Sequence, residues 1–121
     1  MVEKDLARLQ HMFDSTKAIL SFIEGKQREN LDTDRLLLSG ILREMEILGE
    51  AAGKVTERTK DRFPDLPWKQ MVGMRNRLIH AYFDVDHDVI WKTIKDSLPS
   101  LANKLEKIIS EFRNDFNINQ I

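Results

Sequence analysis

Apolar residues at helical spacing run along nearly the whole chain, and this periodicity constrains the possible fold more than any other feature of the sequence. No segment alternates apolar and polar residues with the period of two that marks a half-buried strand. Long amphipathic helices joined by short connections bury their apolar faces by packing side by side. The sequence therefore predicts an all-α protein, built as an antiparallel four-helix bundle.

Two long helices are predicted for the N-terminal half. The first covers about residues 4–23 and ends near Gly25, because glycine readily takes the left-handed conformation that follows many helix C-termini. The second covers about residues 34–60, with Asp32 or Thr33 as its N-cap. Both helices carry apolar residues along one face.

Gly49 and Gly53 lie inside the second predicted helix. Each glycine there costs roughly 1 kcal/mol relative to alanine. Close approach of a neighbouring helix would compensate for this cost. We therefore expect a tight helix–helix contact at these two residues.

Prolines set the boundaries in the C-terminal half. Pro67 suits the first turn of a third helix, over about residues 67–81. A fourth helix follows, and Pro99 inside it should kink or split it. The chain is predicted to form one domain over residues 1–113, with a frayed polar tail over residues 114–121.

The composition narrows the classes of function. The chain has no cysteine, which excludes disulfides and thiolate metal sites. Its net charge is −1, which argues against non-specific coating of nucleic acid, because such proteins carry a strong basic excess. The N-terminus lacks the apolar core of a signal peptide, and no apolar run approaches the ~20 residues needed to cross a bilayer. We therefore expect a cytoplasmic protein without a membrane partner.

Arg75 lies where the third helix should present a core residue. Helical-wheel angles place it in the middle of an apolar stripe formed by Trp68, Met71, Val72, Leu78 and Ile79. Burying an unpaired guanidinium costs several kcal/mol. Arg75 must therefore pair with a carboxylate (Glu46 is the best-placed candidate), be covered at an interface with another chain, or bind a phosphate. The residues alone leave these three alternatives open.

His80 favours the phosphate alternative, although a lone histidine near a helix end is more often structural. Histidine titrates near neutral pH and can transfer a proton, while arginine can stabilise a phosphorane-like transition state. Together these groups support metal-free RNA cleavage by the 2′-hydroxyl, which leaves a 2′,3′-cyclic phosphate. On one straight helix His80 lies ~140° from Arg75. Either the helix end bends, or two copies of the chain combine these residues.

The segment over residues 67–83 resembles the signature of HepT-like HEPN toxins. That signature is an arginine, four residues, a histidine, one residue and a tyrosine, and the residue after the arginine is often an asparagine. In this chain the positions are held by Arg75, Asn76, His80 and Tyr82. Residues 46–52 are similar to the second helix of that family, and residues 84–91 to the start of its fourth helix.

The resemblance implies a HEPN-like bundle and a metal-independent endoribonuclease that needs no cofactor and acts as the toxin of a toxin–antitoxin system (type II/VII-like). Arg75 and His80 would be catalytic, with Asn76 and Glu46 in support. A homodimer would bring two motifs together in one groove. The partner would be an MntA-like nucleotidyltransferase antitoxin, which transfers AMP to Tyr82.

Other functions remain open on the residues. A non-catalytic helical module could bind a nucleotidyltransferase and help present its nucleotide or substrate, with no need for proton transfer by His80. A structural bundle could hold Arg75 and Glu46 as an ion pair without any site. A metal site is disfavoured, because one local cluster fits a polar turn and a helix N-cap better than metal-ligand spacing. That cluster comprises His80, Asp84, Asp86, His87 and Asp88.

Overall fold

The computed structural model describes the backbone of residues 2–80 and 85–120, and the side chains of residues 4–77 and 85–115. Within these ranges every regular element is a helix, which confirms the prediction of an all-α protein. None of the helices in the described ranges is long and apolar enough to cross a membrane. The helices are α1 (Val2–Phe22), α2 (Asn30–Thr33), α3 (Arg35–Lys54), α4 (Glu57–Arg62), α5 (Trp68–His80), α6 (His87–Asp96) and α7 (Leu98–Gln120).

The long helices pack as an antiparallel bundle in which α3 lies against both α1 and α5, and α7 lies against α1 and α6. The start of α1 meets the end of α3, where the Arg8 guanidinium donates to the Lys54 carbonyl at 3.0 Å. The middle of α1 meets the C-terminal half of α7, where Arg113 donates to the Gln10 side chain at 3.1 Å. The core between the helices is lined by apolar side chains that include Leu9, Met12, Ile19, Ile41, Leu48, Ile94 and Leu105.

Several predicted helix boundaries are confirmed. Gly25 follows the end of α1 with a φ of 74°, the left-handed conformation expected for a glycine at this point. The predicted fourth helix is split at Ser97 into α6 and α7, so Pro99 lies in the first turn of α7. A proline is tolerated there because the first backbone N–H groups of a helix have no partner within it.

Other boundaries differ from the prediction. The second helix starts after Asp34, whose side chain accepts from the Leu37 backbone N–H at 3.0 Å, so neither Asp32 nor Thr33 is its N-cap. The short helix α2 precedes this N-cap and was not predicted. At its C-terminal end, α7 extends to Gln120, past the start of the predicted tail. The division of the chain at residue 113 stays a prediction.

The predicted second helix is broken after Lys54. Val55 is extended and Thr56 becomes the N-cap of α4. The cause is a contact from a distant part of the chain. The buried Asp5 carboxylate on α1 accepts from the Thr56 backbone N–H at 3.2 Å and from the Thr56 and Thr59 hydroxyls at 2.6 Å each. Three charge-assisted hydrogen bonds therefore hold the α3–α4 junction against α1.

The hydrogen bonds of the buried Asp5 carboxylate predict that the stability of the protein depends on pH. Burial raises the pKa of Asp5, but hydrogen bonds from Thr56 and Thr59 outweigh burial, so this pKa lies below its ordinary value. A carboxyl whose pKa is depressed by folding stabilises the protein above its unfolded-state pKa, and this stabilisation is lost as the pH falls through the folded-state pKa. We expect Asp5→Asn to lower the free energy of unfolding by about 1–3 kcal/mol at neutral pH.

Urea denaturation over a series of acidic pH values measures this effect. The difference between the wild type and Asp5→Asn should shrink as the pH is lowered. Asp14→Asn, at an exposed position of the same helix, is the matched control and should change stability little. A difference that stays constant with pH would contradict the role given to the Asp5 carboxylate.

Candidate active site

Helix α5 packs against α3 at Gly49. A β-carbon built on Gly49 would lie 2.3 Å from the β-carbon of Arg75 and 2.8 Å from the carbonyl oxygen of Met71. Any side chain here would therefore collide with the backbone of α5. The close contact predicted from the glycines is confirmed at Gly49, while at Gly53 the nearest atom, a methyl group of Val72, would lie at an ordinary 3.6 Å.

This contact explains how an arginine can lie in an apolar stripe. The β- and γ-carbons of Arg75 lie over Gly49, so the aliphatic stem packs against α3. The side chain is only partly buried, and its guanidinium reaches the surface and donates to the Asn76 side-chain oxygen at 3.2 Å. Long cationic side chains commonly combine a packed stem with a hydrated head group. Packing therefore fixes the stem of Arg75, and a neutral amide contacts its charge.

Glu46 forms an ion pair with a different arginine. Its carboxylate lies 3.4 Å from the Arg43 guanidinium, one turn earlier on α3. Among the described side chains there is no ion pair between Glu46 and Arg75. Within the described part of the chain no carboxylate pairs with Arg75, and a supporting role for Glu46 stays a prediction.

The other two residues of the motif cannot be placed in the same detail. The backbone of α5 runs to His80, but the His80 side chain and the whole of Tyr82 lie outside the described residues. The catalytic role of His80 and the modification of Tyr82 therefore stay predictions. Arg75 and Asn76 are brought together, and they lie on the same helix as His80.

An open groove of about 740 Å³ lies beside this pair, between α4 and α5. Asn76 lines it together with Trp68 and Lys69. The Trp68 ring is partly buried and its N–H donates to the Phe63 carbonyl at 3.0 Å, which fits a packing role at the start of α5. The groove gives a ligand access to the side of α5 that carries Asn76.

The described members of the His/Asp cluster have structural partners. Asp86 is the N-cap of α6 and accepts from the backbone N–H of Asp88 at 2.9 Å, as predicted for a polar turn. His87 lies 2.6 Å from Asp32, and Arg28 donates to both Asp88 and Asp32. Hydrogen bonds from His87 and Arg28 lower the pKa of Asp32. The His80 side chain and Asp84 lie outside the described residues.

These features define an all-helical protein with a surface arginine set at a tight helix crossing. Residues 12–108 match the family described as ribonuclease HepT-like. This match covers most of the chain, which therefore belongs to the HepT-like ribonuclease family. The resemblance seen in the motif around Arg75 is confirmed at the level of the family.

Named relatives agree with this membership. A protein of Thermococcus cleftensis, named as a candidate ribonuclease HepT, is 37% identical over 100 residues, which cover 83% of this chain and 91% of the relative. A protein of Methanocaldococcus jannaschii, named as a candidate RNase, is 31% identical over 107 residues, or 88% of this chain and 98% of the relative. Another candidate RNase, from Caldanaerobacter subterraneus, is 30% identical over 103 residues, or 85% and 92% of the two chains. No solved structure matches the chain.

The two glycines of α3 offer a matched pair of substitutions. Gly49→Ala should lower the free energy of unfolding by about 1–3 kcal/mol, because the added methyl group overpacks the contact with α5. Gly53→Ala places the same group at an ordinary contact distance, so the gain in helix propensity should leave stability unchanged or raise it by up to about 1 kcal/mol. Denaturant unfolding of both variants measures the difference. Equal effects at the two positions would contradict the close approach at Gly49.

Proposed function

We propose that this protein is a metal-independent RNA endonuclease whose catalytic residues are Arg75 and His80. The observation that carries the proposal is the position of Arg75. A tight helix crossing fixes its stem and a neutral amide orients its guanidinium, within a chain of the HepT-like ribonuclease family. A partly buried, oriented guanidinium is suited to bind a phosphate with two parallel hydrogen bonds.

The proposed reaction is transesterification within the RNA. His80 takes the proton of a 2′-hydroxyl, whose oxygen attacks the adjacent phosphorus atom. The bond from phosphorus to the 5′-oxygen of the next nucleotide breaks, that oxygen takes a proton from water, and His80 returns its own proton to the solvent. The products are a 2′,3′-cyclic phosphate and a 5′-hydroxyl. Arg75 stabilises the additional negative charge on the phosphorus-bound oxygens in the transition state. Since DNA lacks the attacking hydroxyl, it is not a substrate.

A homodimer would complete this site. On an ideal straight helix, positions 75 and 80 lie ~140° apart, so an arginine of one copy and a histidine of another could face the same phosphate. Partial exposure of Arg75 in the single chain supports an arrangement in which the remaining surface is covered by a second copy and by RNA. We further propose that the protein is the toxin of a toxin–antitoxin pair.

Cleavage of RNA in the presence of EDTA tests the proposed reaction. The wild type should produce fragments with 2′,3′-cyclic phosphate ends, and Arg75→Ala and His80→Ala should each lower the rate at least 100-fold, as expected for loss of charge stabilisation and of proton transfer. Arg77→Ala is the matched control, because Arg77 is exposed on the same helix and lies in a groove facing α6, away from Arg75.

The outcome also separates this reaction from the non-catalytic alternative. A module that only presents nucleotide or substrate to a nucleotidyltransferase needs no histidine for proton transfer. If unmodified wild type leaves RNA intact, and His80→Ala still supports the partner enzyme, the ribonuclease proposal is wrong. Cleavage that requires added divalent metal would contradict the metal-free mechanism alone.

Modification of Tyr82 would silence the enzyme. A nucleotidyltransferase antitoxin would transfer AMP from ATP to the Tyr82 hydroxyl and release pyrophosphate. An adenylate group near Arg75 would occupy the space of the substrate phosphate and compete for the cation. We expect incubation with the antitoxin and ATP to raise the intact mass by whole AMP units and to abolish RNA cleavage. Tyr82→Phe should show neither change, and an equal mass increase in this variant would place the modification elsewhere.

A further inference from the structure

The groove between α1 and α3 carries a local excess of positive charge. It has a volume of about 450 Å³, and its rims carry Lys4 and Arg8 on α1 and Lys54 and Glu50 on α3. Two other grooves of the described surface are balanced. The α4–α5 groove carries Lys60 and Lys69 against Glu57 and Asp61, and the α5–α6 groove carries Arg77 against Asp86. On a chain of net charge −1, the α1–α3 groove therefore stands out as a site for an anion.

Three basic residues of α1 lie in a row. Lys4, Arg8 and His11 are spaced so that they share one face of the helix, and all three line the groove. The apolar side chains of Ala7, Ile47 and Ala51 also line the groove. The two alanines are small, which lets an extended ligand lie close to the rims. The row extends for about 10 Å along α1, at 1.5 Å per residue.

Two of the cations already have partners within the protein. Arg8 donates to the Lys54 carbonyl at 3.0 Å and lies 4.0 Å from Asp5, and the Lys54 ammonium lies 3.3 Å from Glu50. A guanidinium has five N–H donors and an ammonium has three, so donors remain for a ligand. The Lys54 and Glu50 side chains are 59% and 50% exposed, so their mutual attraction is weak in water. Lys4 is exposed on the opposite rim.

Helix α3 connects this groove to Arg75. Gly49 carries the stem of Arg75 on one side of α3, and its neighbours Ile47, Glu50 and Ala51 line the α1–α3 groove on another. An α-helix with its side chains is about 10–12 Å across. A polyanion bound in the groove could therefore continue over the exposed face of α3 to the Arg75 guanidinium without leaving the surface.

We infer that the α1–α3 groove binds the sugar–phosphate backbone of the RNA substrate, at nucleotides outside the pair that is cleaved. The inference rests on the proposed ribonuclease function for the identity of the ligand. Lys4 and Lys54 contact phosphates from the two rims, and Arg8 holds the end of α3 in place. Such contacts add affinity for long RNA without selecting its sequence.

Binding of single-stranded RNA at a series of salt concentrations tests the inference. The groove variant is Lys4→Gln/Lys54→Gln, and the matched control is Lys92→Gln/Lys107→Gln, which removes the same charge from exposed positions on α6 and α7. Both pairs are made in an Arg75→Ala background so that the RNA stays intact. Loss of two phosphate contacts should make the slope of log K against log salt shallower by about 1.4, because each contact to single-stranded RNA contributes about 0.7. The control should keep the parental slope.

Cleavage assays of the same two double variants, with Arg75 intact, distinguish the groove inference from the ribonuclease proposal. The groove variant should cleave a long RNA less efficiently than the control, while both cleave a dinucleotide equally well. If the wild type cleaves RNA but the groove and control variants have the same salt slope, the groove inference is wrong and the ribonuclease proposal stands. If the wild type cleaves nothing but the groove variant alone has a shallower slope, the groove still binds RNA and the proposed reaction fails.

Discussion

The crossing of α3 and α5 at Gly49 determines the position of the arginine on which the candidate site depends. Without a β-carbon at Gly49, the backbone of α5 approaches α3 so closely that the stem of Arg75 lies on the helix surface. A packed stem leaves fewer side-chain conformations to be lost when a ligand binds, which preorganises the guanidinium. Gly49 lowers the helix propensity of α3, but the close approach that it allows fixes a cation at the surface.

A second constraint acts directly after the C-terminal end of α3, a few residues beyond Gly49. Asp5 on α1 holds Thr56 and Thr59, so α3 ends where α1 requires it to end. The chain then turns through α4 and returns as α5 in the register that sets Arg75 over Gly49. The position of Arg75 on α5 thus depends on Asp5 on α1. The two are connected through the end of α3 and the start of α4, although neither residue belongs to those helices.

The sequence predicts the parts of this structure that local chemistry determines. Gly25 and Pro99 each act within a few residues and are predicted correctly, as is a helix N-cap within the cluster that holds Asp86. The break after Lys54 was missed because Val55 and Thr56 carry no turn signal of their own, and a side chain some fifty residues away imposes it. The Arg75 site is an intermediate case. Its unusual position in an apolar stripe is visible on a helical wheel, but the wheel could not distinguish a carboxylate partner from an amide.

That distinction decides what the arginine can do. A carboxylate beside Arg75 would compete with a phosphate for the guanidinium, and Glu46, the carboxylate expected there, lies beside Arg43 instead. The Asn76 side chain accepts one hydrogen bond at 3.2 Å and so orients the guanidinium, but an amide carries no charge to neutralise it. Among the described side chains the positive charge of Arg75 therefore stays available to a ligand, in a place where its stem cannot move away. The pair of Arg75 and Asn76 has a positive charge and no negative one, and a phosphate would supply it. A phosphate is also the group at which an RNA-cleaving enzyme must act.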